Sequence, residues 1–154
     1  MKPKTLTMEE KLIVGIGVRT KNINEMSPSA AQLAKLWGRF YQEDIMSKVR
    51  GKVQGSYVYG VYHSYESDMN GEYSVVAGVE VDKEVANKEF TSVKLKKGKY
   101  LAFKAKGEMP GVVIETWKNI WKYFDSPSAP KRAYITDYEV YKGPDEVAIY
   151  IGVK

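Results

Sequence analysis

The feature that most constrains the fold of this 154-residue chain is a degenerate internal repeat. Two sets of large apolar residues share the i, i+3, i+4, i+7 spacing of one helix face, 84 residues apart: Leu33, Leu36, Trp37 and Phe40, then Trp117, Ile120, Trp121 and Phe124. Each helix is preceded by one strand-like segment and followed by two. A single β-α-β-β unit is too small to bury its own sheet face and helix, so the two units must pack together.

Strands are predicted wherever β-branched and aromatic residues concentrate between turn signals. The predicted strands are 11–18, 57–65, 73–81, 100–106, 132–141 and 146–153. We predict that the first helix begins with Ser27 as N-cap and Pro28 at its first position, and that the second opens at Pro110. Residues 43–55 are a connection with room for a short helix, and the charged segment 82–90 is a seam between the halves.

These elements predict an α+β fold in a single domain, residues 1–154, with repeats at roughly 11–81 and 98–154. Two β-α-β-β modules related by a pseudo-twofold axis would form one antiparallel sheet with both main helices packed on one face.

Two further matches extend the repeat. Gly78-Val79 matches Gly152-Val153 at an offset of 74, and Tyr65-Glu66 matches Tyr138-Glu139 at an offset of 73, which makes Glu66 the counterpart of Glu139.

Composition excludes several classes of site. The absence of cysteine excludes disulfides and thiolate metal sites, and one histidine excludes a multi-histidine metal centre, so we expect no metal and no cofactor. No segment is apolar enough to act as a signal peptide or to span a membrane, which predicts a soluble, cytoplasmic protein without membrane contact.

The charge pattern gives little support to nucleic-acid binding. The net charge of +5 is dispersed, and the densest basic cluster lies at Lys94, Lys96, Lys97 and Lys99. Lysines that protect an edge strand from aggregation explain this cluster, and no recognition motif accompanies it, so no direct DNA binding is expected. The unusual feature is 12 tyrosines, which suit a recognition surface as well as a core.

Several strings in register resemble the GyrI-like effector-binding domain, the ligand-binding module of AraC-type and MerR-type multidrug regulators. They are YGVYHSYES with GEYSVVAGVEV, KGKYLAFKAKGEMPGVVIETWKNIWKYF, RAYITDYEVY and EVAIYIGVK. The resemblance covers nearly the whole chain. It implies two β-α-β-β modules with an aromatic-lined groove between them, where an acidic residue selects lipophilic, often cationic, molecules. The regulators' DNA-binding domain has no counterpart here, so we expect a stand-alone effector-binding protein.

The resemblance points to Glu139, within D-Y-E-V-Y, as the groove carboxylate, beside Tyr141. The alternative is an exposed strand glutamate, and alternation along 132–141 does not decide which way Glu139 points. Glu66 is a candidate through the repeat alone. Trp117 is the preferred groove wall because its repeat partner is the smaller Leu33. The remaining candidate ligand contacts are Tyr62, Tyr73 and Phe103.

Two functions remain open. The first is a binding protein that sequesters a lipophilic, cationic small molecule or presents it to a separate regulator protein. The second is a hydrolase of reactive lipophilic compounds, in which Glu139 and tyrosines act as general base and acid. An inhibitor of DNA gyrase, a third reading, requires a protein-binding surface that the sequence does not display.

Overall fold

A computed structural model describes residues 3–27, 29–82 and 87–154. These residues form one eight-stranded antiparallel sheet and four helices. In chain order the elements are β1 Lys4–Met8, β2 Lys11–Thr20, α1 Asn22–Glu25, α2 Leu33–Gln42, α3 Ile45–Lys48, β3 Val58–His63, β4 Tyr73–Val81, β5 Thr91–Leu95, β6 Gly98–Lys106, α4 Gly111–Phe124, β7 Arg132–Gly143 and β8 Glu146–Val153.

The strand order β1-β6-β8-β7-β3-β4-β2-β5 has the symmetry that the repeat predicts. The antiparallel pair β3 and β7 lies at the centre, flanked by β4 and β2 on one side and by β8 and β6 on the other. The predicted α+β fold is confirmed. Strands β1 and β5 were not among the predicted strands, and the halves exchange them, because β1 pairs with β6 whereas β5 pairs with β2. This exchange joins the two modules along both edges of the sheet.

The two main helices, α2 and α4, cover the same face of the sheet, and the other face is also buried. Side chains of β7 alternate, so that Glu139 packs on the helix side while Tyr138 packs on the opposite side, each 2% exposed. The cluster on the opposite face contains Leu95 of one edge strand, and Leu6 of the other edge strand packs against the same cluster. Burial on both faces explains why hydrophobic alternation could not orient Glu139.

The predicted start of the first helix is wrong. Helix α2 begins at Leu33, and Pro28 lies outside the described residues. The carboxylate of Glu25 accepts the backbone N–H groups of Gln32, at 2.9 Å, and of Leu33, at 3.1 Å. A carboxylate brought in by the unpredicted helix α1 therefore caps α2 in place of Ser27. At the seam, residues 83–86 also lie outside the described residues.

The prediction that Glu66 is the repeat counterpart of Glu139 is also wrong. In the sheet, Tyr62 pairs with Val75 and Glu139 pairs with Ile149. Val75 and Ile149 are 74 residues apart, the offset that relates β4 to β8, so Tyr62 is the counterpart of Glu139. Glu66 lies beyond the end of β3, in the loop before β4. The offset of 73 fails because this loop is much longer than the turn between β7 and β8.

Candidate functional site

A cavity of about 850 Å³ lies between α2 and α4, over the centre of the sheet. Helix α2 packs on β2 and β4, and α4 packs on β6 and β8, so the central strands β3 and β7 have no helix above them. The pseudo-twofold arrangement thus produces a groove whose walls are the two helices and whose floor is β3 and β7. We call this cavity the central groove.

Aromatic side chains form much of the central groove. The helices contribute Trp37, Tyr41, Trp117 and Trp121, and the sheet side contributes Tyr62, Tyr65, Tyr73 and Tyr141. The rings contact one another across elements, with 5.1 Å between the ring centroids of Tyr62 and Trp117 and 5.3 Å between those of Trp37 and Tyr141. These contacts between sheet and helices hold the ring faces in fixed positions, which suits flat or multi-ring ligands.

Glu139 lies at the floor of the central groove and is 2% exposed. Its Oε2 accepts hydrogen bonds from the Tyr62 hydroxyl, at 2.9 Å, and from Trp117 Nε1, at 2.7 Å. Its Oε1 accepts one from the Tyr141 hydroxyl, at 2.8 Å. All three donors are neutral, and no ion pair to Glu139 is found among the described residues. Burial raises the pKa of Glu139, and the three hydrogen bonds only partly oppose that effect.

The backbone opposite Glu139 makes room for its carboxylate. Gly60 is the cross-strand neighbour of Glu139. A Cβ atom at Gly60 would lie 2.6 Å from Oε1 of Glu139 and 3.0 Å from Cζ2 of Trp37. Any larger residue would therefore push the carboxylate or the Trp37 ring out of place.

The tyrosines around Glu139 remain neutral. Burial, followed by the charge of Glu139, raises the pKa of Tyr62 well above its ordinary value, and the same two causes raise that of Tyr141. Burial also raises the pKa of Tyr73, with smaller contributions from Glu25 and Glu139. At neutral pH Tyr62 and Tyr141 are hydrogen-bond donors that stabilise the Glu139 carboxylate without cancelling its charge. The Tyr73 hydroxyl instead donates to Asn22 Oδ1 at 2.8 Å.

A second charged cluster lies at the start of β7. Arg132 Nη2 contacts Asp137 Oδ2 at 2.7 Å, and Asp137 Oδ1 accepts the backbone N–H of Gly152 at 2.8 Å. The Tyr65 hydroxyl also donates to Asp137. Arg132 and Tyr65 line the central groove, whereas Asp137 is fully buried beneath them.

The structure brings together five of the seven side chains expected at the site: Glu139, Trp117, Tyr141, Tyr62 and Tyr73. Phe103 lies elsewhere, buried in the core under α4, where its ring contacts Tyr123 and Phe124. Glu66 also lies outside the groove, in an exposed position where it accepts the backbone N–H of Glu72 at 3.3 Å.

Sequence reasoning missed Trp37, Trp121, Tyr41 and Arg132 as groove residues. The repeat contained the signal for the two tryptophans, because Trp37 and Trp121 are partners at the offset of 84 and flank a common axis. No sequence pattern indicated Arg132. Its position in the groove depends on an irregular stretch of β7, which strand alternation does not predict.

The sequence matches the family model of the integron-associated effector-binding proteins, named Cass2, over residues 6–153. The chain belongs to this family. It is also 25% identical over 156 residues to YobU of Bacillus subtilis (strain 168), a protein named as a transcriptional regulator, covering 96% of this chain and 94% of that one. Membership makes the chain an effector-binding protein.

Solved structures support the same assignment. An integron cassette protein from the mobile metagenome of Vibrio cholerae aligns with a TM-score of 0.87 and 38% identity, covering 99% of this chain and 96% of that one. The structure of SAV2435 bound to tetraphenylphosphonium has the same fold, with a TM-score of 0.79, 21% identity and coverage of 100% and 94%. Within the described part of this family member, no helix is long and apolar enough to cross a membrane.

Proposed function

We propose that this effector-binding protein captures lipophilic cations in the central groove, with Glu139 supplying the negative charge and the surrounding rings supplying apolar contact. The observation that carries the proposal is the state of Glu139: a carboxylate 2% exposed, held by three neutral donors, without an ion-pair partner among the described residues.

Electrostatics favours a cation as the ligand of such a site. An isolated carboxylate loses much of its hydration when it is buried, and a bound cation offsets that loss. The ring faces add cation–π attraction of about 0.5–2 kcal/mol for each well-placed ring. Because water is partly excluded from the groove, both attractions are stronger there than on an open surface.

The structurally similar SAV2435 supplies a suitable probe, because its structure contains tetraphenylphosphonium. This ion has apolar faces, a buried charge and no hydrogen-bond donor, so it matches a groove whose walls are rings and whose carboxylate already has three donors. A dissociation constant near the micromolar range, or about −8 kcal/mol, is expected.

In the proposed role the chain itself performs no chemistry. A general base must accept a proton from the reacting molecule, and Glu139 already receives three hydrogen bonds. The hydrolase alternative therefore gains no support from this geometry. Capture serves either to sequester the cation or to present it to a separate regulator protein.

The decisive experiment compares two ions of one shape and opposite charge. Tetraphenylphosphonium and tetraphenylborate should be titrated into the protein by isothermal calorimetry at pH 7. We expect the cation to bind at least about tenfold more tightly than the anion, because only the cation is attracted to Glu139. Equal affinities would show that apolar contact alone drives binding and would reject the role assigned to Glu139.

A further inference from the structure

Arg132 gives the central groove a second polar feature, displaced from Glu139 along β7. Both residues line the same cavity. Asp137 and Glu139 lie on one face of β7, two residues and therefore about 7 Å apart, and the Arg132 guanidinium contacts Asp137 at 2.7 Å. If the charge of a ligand lies over Glu139, a substituent about 7 Å from that charge would lie beside Arg132.

The guanidinium of Arg132 has more donors than the protein uses. Among the described residues its one hydrogen-bond acceptor is Asp137, and its buried Nε has no partner. The Arg132 side chain is only 7% exposed, so bulk water can supply few of the missing hydrogen-bond acceptors. Nε itself is enclosed by protein, so a ligand oxygen in the groove would have to reach an unused N–H of the terminal nitrogens, where it would gain a donor that is already largely desolvated.

The backbone is distorted where it presents Arg132. The pairing of β7 with β8 is irregular between Arg132 and Asp137. Within this stretch Tyr134 has φ of 52°, in the left-handed region that tyrosine rarely adopts, and its ring centroid lies 4.3 Å from the Arg132 guanidinium carbon. Bulges and strained residues of this kind often re-aim a side chain beside a binding site.

We propose that Arg132 forms an acceptor subsite in the central groove, so that the preferred effectors are lipophilic cations that also carry a neutral acceptor oxygen such as an ester, amide or ketone. This inference rests on the proposed function of the groove. A neutral oxygen fits better than a carboxylate, because Asp137 already balances the charge of Arg132 and a ligand anion would lie near both Asp137 and Glu139.

Three xanthene dyes test the proposal, since they share one cationic chromophore. Tetraethylrosamine has no acceptor on its phenyl ring, rhodamine B methyl ester has a neutral ester there, and rhodamine B has a carboxylate. Fluorescence polarisation should show the ester binding about fivefold more tightly than the rosamine, as one net hydrogen bond predicts. Rhodamine B should bind more weakly than its ester, and the reverse order would overturn the choice of a neutral oxygen.

The double variant Arg132→Met/Asp137→Asn removes both charges and every N–H donor of the guanidinium. It should bind the ester and the rosamine with equal affinity, so the measured quantity is the ratio of the two affinities and not the affinity for either dye alone. Arg19→Gln is the control, because Arg19 bonds Glu72 and Ser64 outside the groove. An ester advantage that persists in the double variant, or equal affinities in the unaltered protein, would overturn the acceptor subsite alone. Failure of all three dyes to bind would refute the proposed function as well.

A second measurement needs no groove variant. The chain has four arginines, Arg19, Arg39, Arg50 and Arg132, so a nitrogen–proton spectrum of the side-chain Nε–H groups is simple to assign from the variants at the first three. The Arg132 resonance should shift more on addition of the ester than on addition of the rosamine. Identical shifts with both dyes would contradict the inference.

Discussion

Replacing Glu139 with glutamine separates the charge of this residue from its shape. The carbonyl of the glutamine can take the position of Oε2 and accept from Tyr62 and from Trp117, whose indole N–H can only donate. The amide NH₂ then lies at the position of Oε1, where the Tyr141 hydroxyl can rotate to accept. The network survives without charge, so Glu139→Gln should fold normally.

The expected loss of cation affinity follows from Coulomb's law. The phenyl groups keep the phosphorus of tetraphenylphosphonium about 5 Å or more from the carboxylate. At an effective dielectric constant of about 20, this separation corresponds to about 3 kcal/mol, or about a hundredfold in affinity. Because the groove is open to solvent on one side, we expect a measured loss of about ten- to a hundredfold for Glu139→Gln.

Calorimetric titration of tetraphenylphosphonium into both proteins measures this loss, with tetraphenylborate as the second titrant. The anion should bind the variant as well as or better than it binds the unaltered protein. Glu66→Gln is the matched control, because it removes the same charge from a residue outside the groove and should leave both affinities unchanged. An unchanged cation affinity in Glu139→Gln, or an equal loss in Glu66→Gln, would refute the assignment of the charge to Glu139.

The same site predicts three further results. Cation affinity should fall as pH is lowered through the raised pKa of Glu139, because protonation removes the charge, whereas Glu139→Gln should give a flat profile in the same titrations. Trp117→Phe deletes one donor to Glu139, so the pH at half-maximal affinity should move upward, and an unmoved midpoint would count against that hydrogen bond. Gly60→Ala should weaken cation binding about tenfold by calorimetry, because its Cβ would displace the carboxylate; Gly38→Ala, which meets nothing within 4 Å, is its control and should bind normally.

Stability should respond to Glu139 in the opposite direction from binding. The pKa of Glu139 is raised in the folded state, so the folded protein binds more protons than the unfolded chain between the ordinary and the raised value. The unliganded protein therefore loses stability as pH rises through that window. At pH 7 we expect Glu139→Gln to melt at a higher temperature than the unaltered protein, with a difference that shrinks toward pH 4 in differential scanning calorimetry. A lower melting temperature at pH 7 would mean that the carboxylate stabilises the empty groove.

The sequence predicted the parts of the fold that depend on periodicity. The spacing of Trp117, Ile120 and Phe124 requires a helix with one apolar face, and the repeat requires that two such helices cover one sheet. The start of α2 could not be predicted, because its cap is the side chain of Glu25, delivered by tertiary structure. The same is true of β1, whose partner β6 lies in the other half of the chain.

The site was only partly predictable for a different reason. Glu139 was identified through a resemblance, and hydrophobic alternation could not orient it because both faces of the sheet are buried. Phe103 and Trp121 are both large aromatic residues in predicted elements, yet Phe103 lies beneath α4 while Trp121 lines the groove. That difference depends on where the helix crosses the sheet, which local sequence does not encode.

The register of the two halves explains why the groove has one central carboxylate. Tyr62 and Glu139 occupy equivalent positions on the two central strands, and the Tyr62 hydroxyl donates to the carboxylate of Glu139 at 2.9 Å. Glutamates at both positions would place two carboxylates close to the pseudo-twofold axis, where each would raise the pKa of the other and one would be protonated at neutral pH. A tyrosine in one half instead supplies a neutral donor to the charge in the other half. The divergence of the repeat at this pair therefore keeps Glu139 hydrogen-bonded while leaving its charge available to a cation.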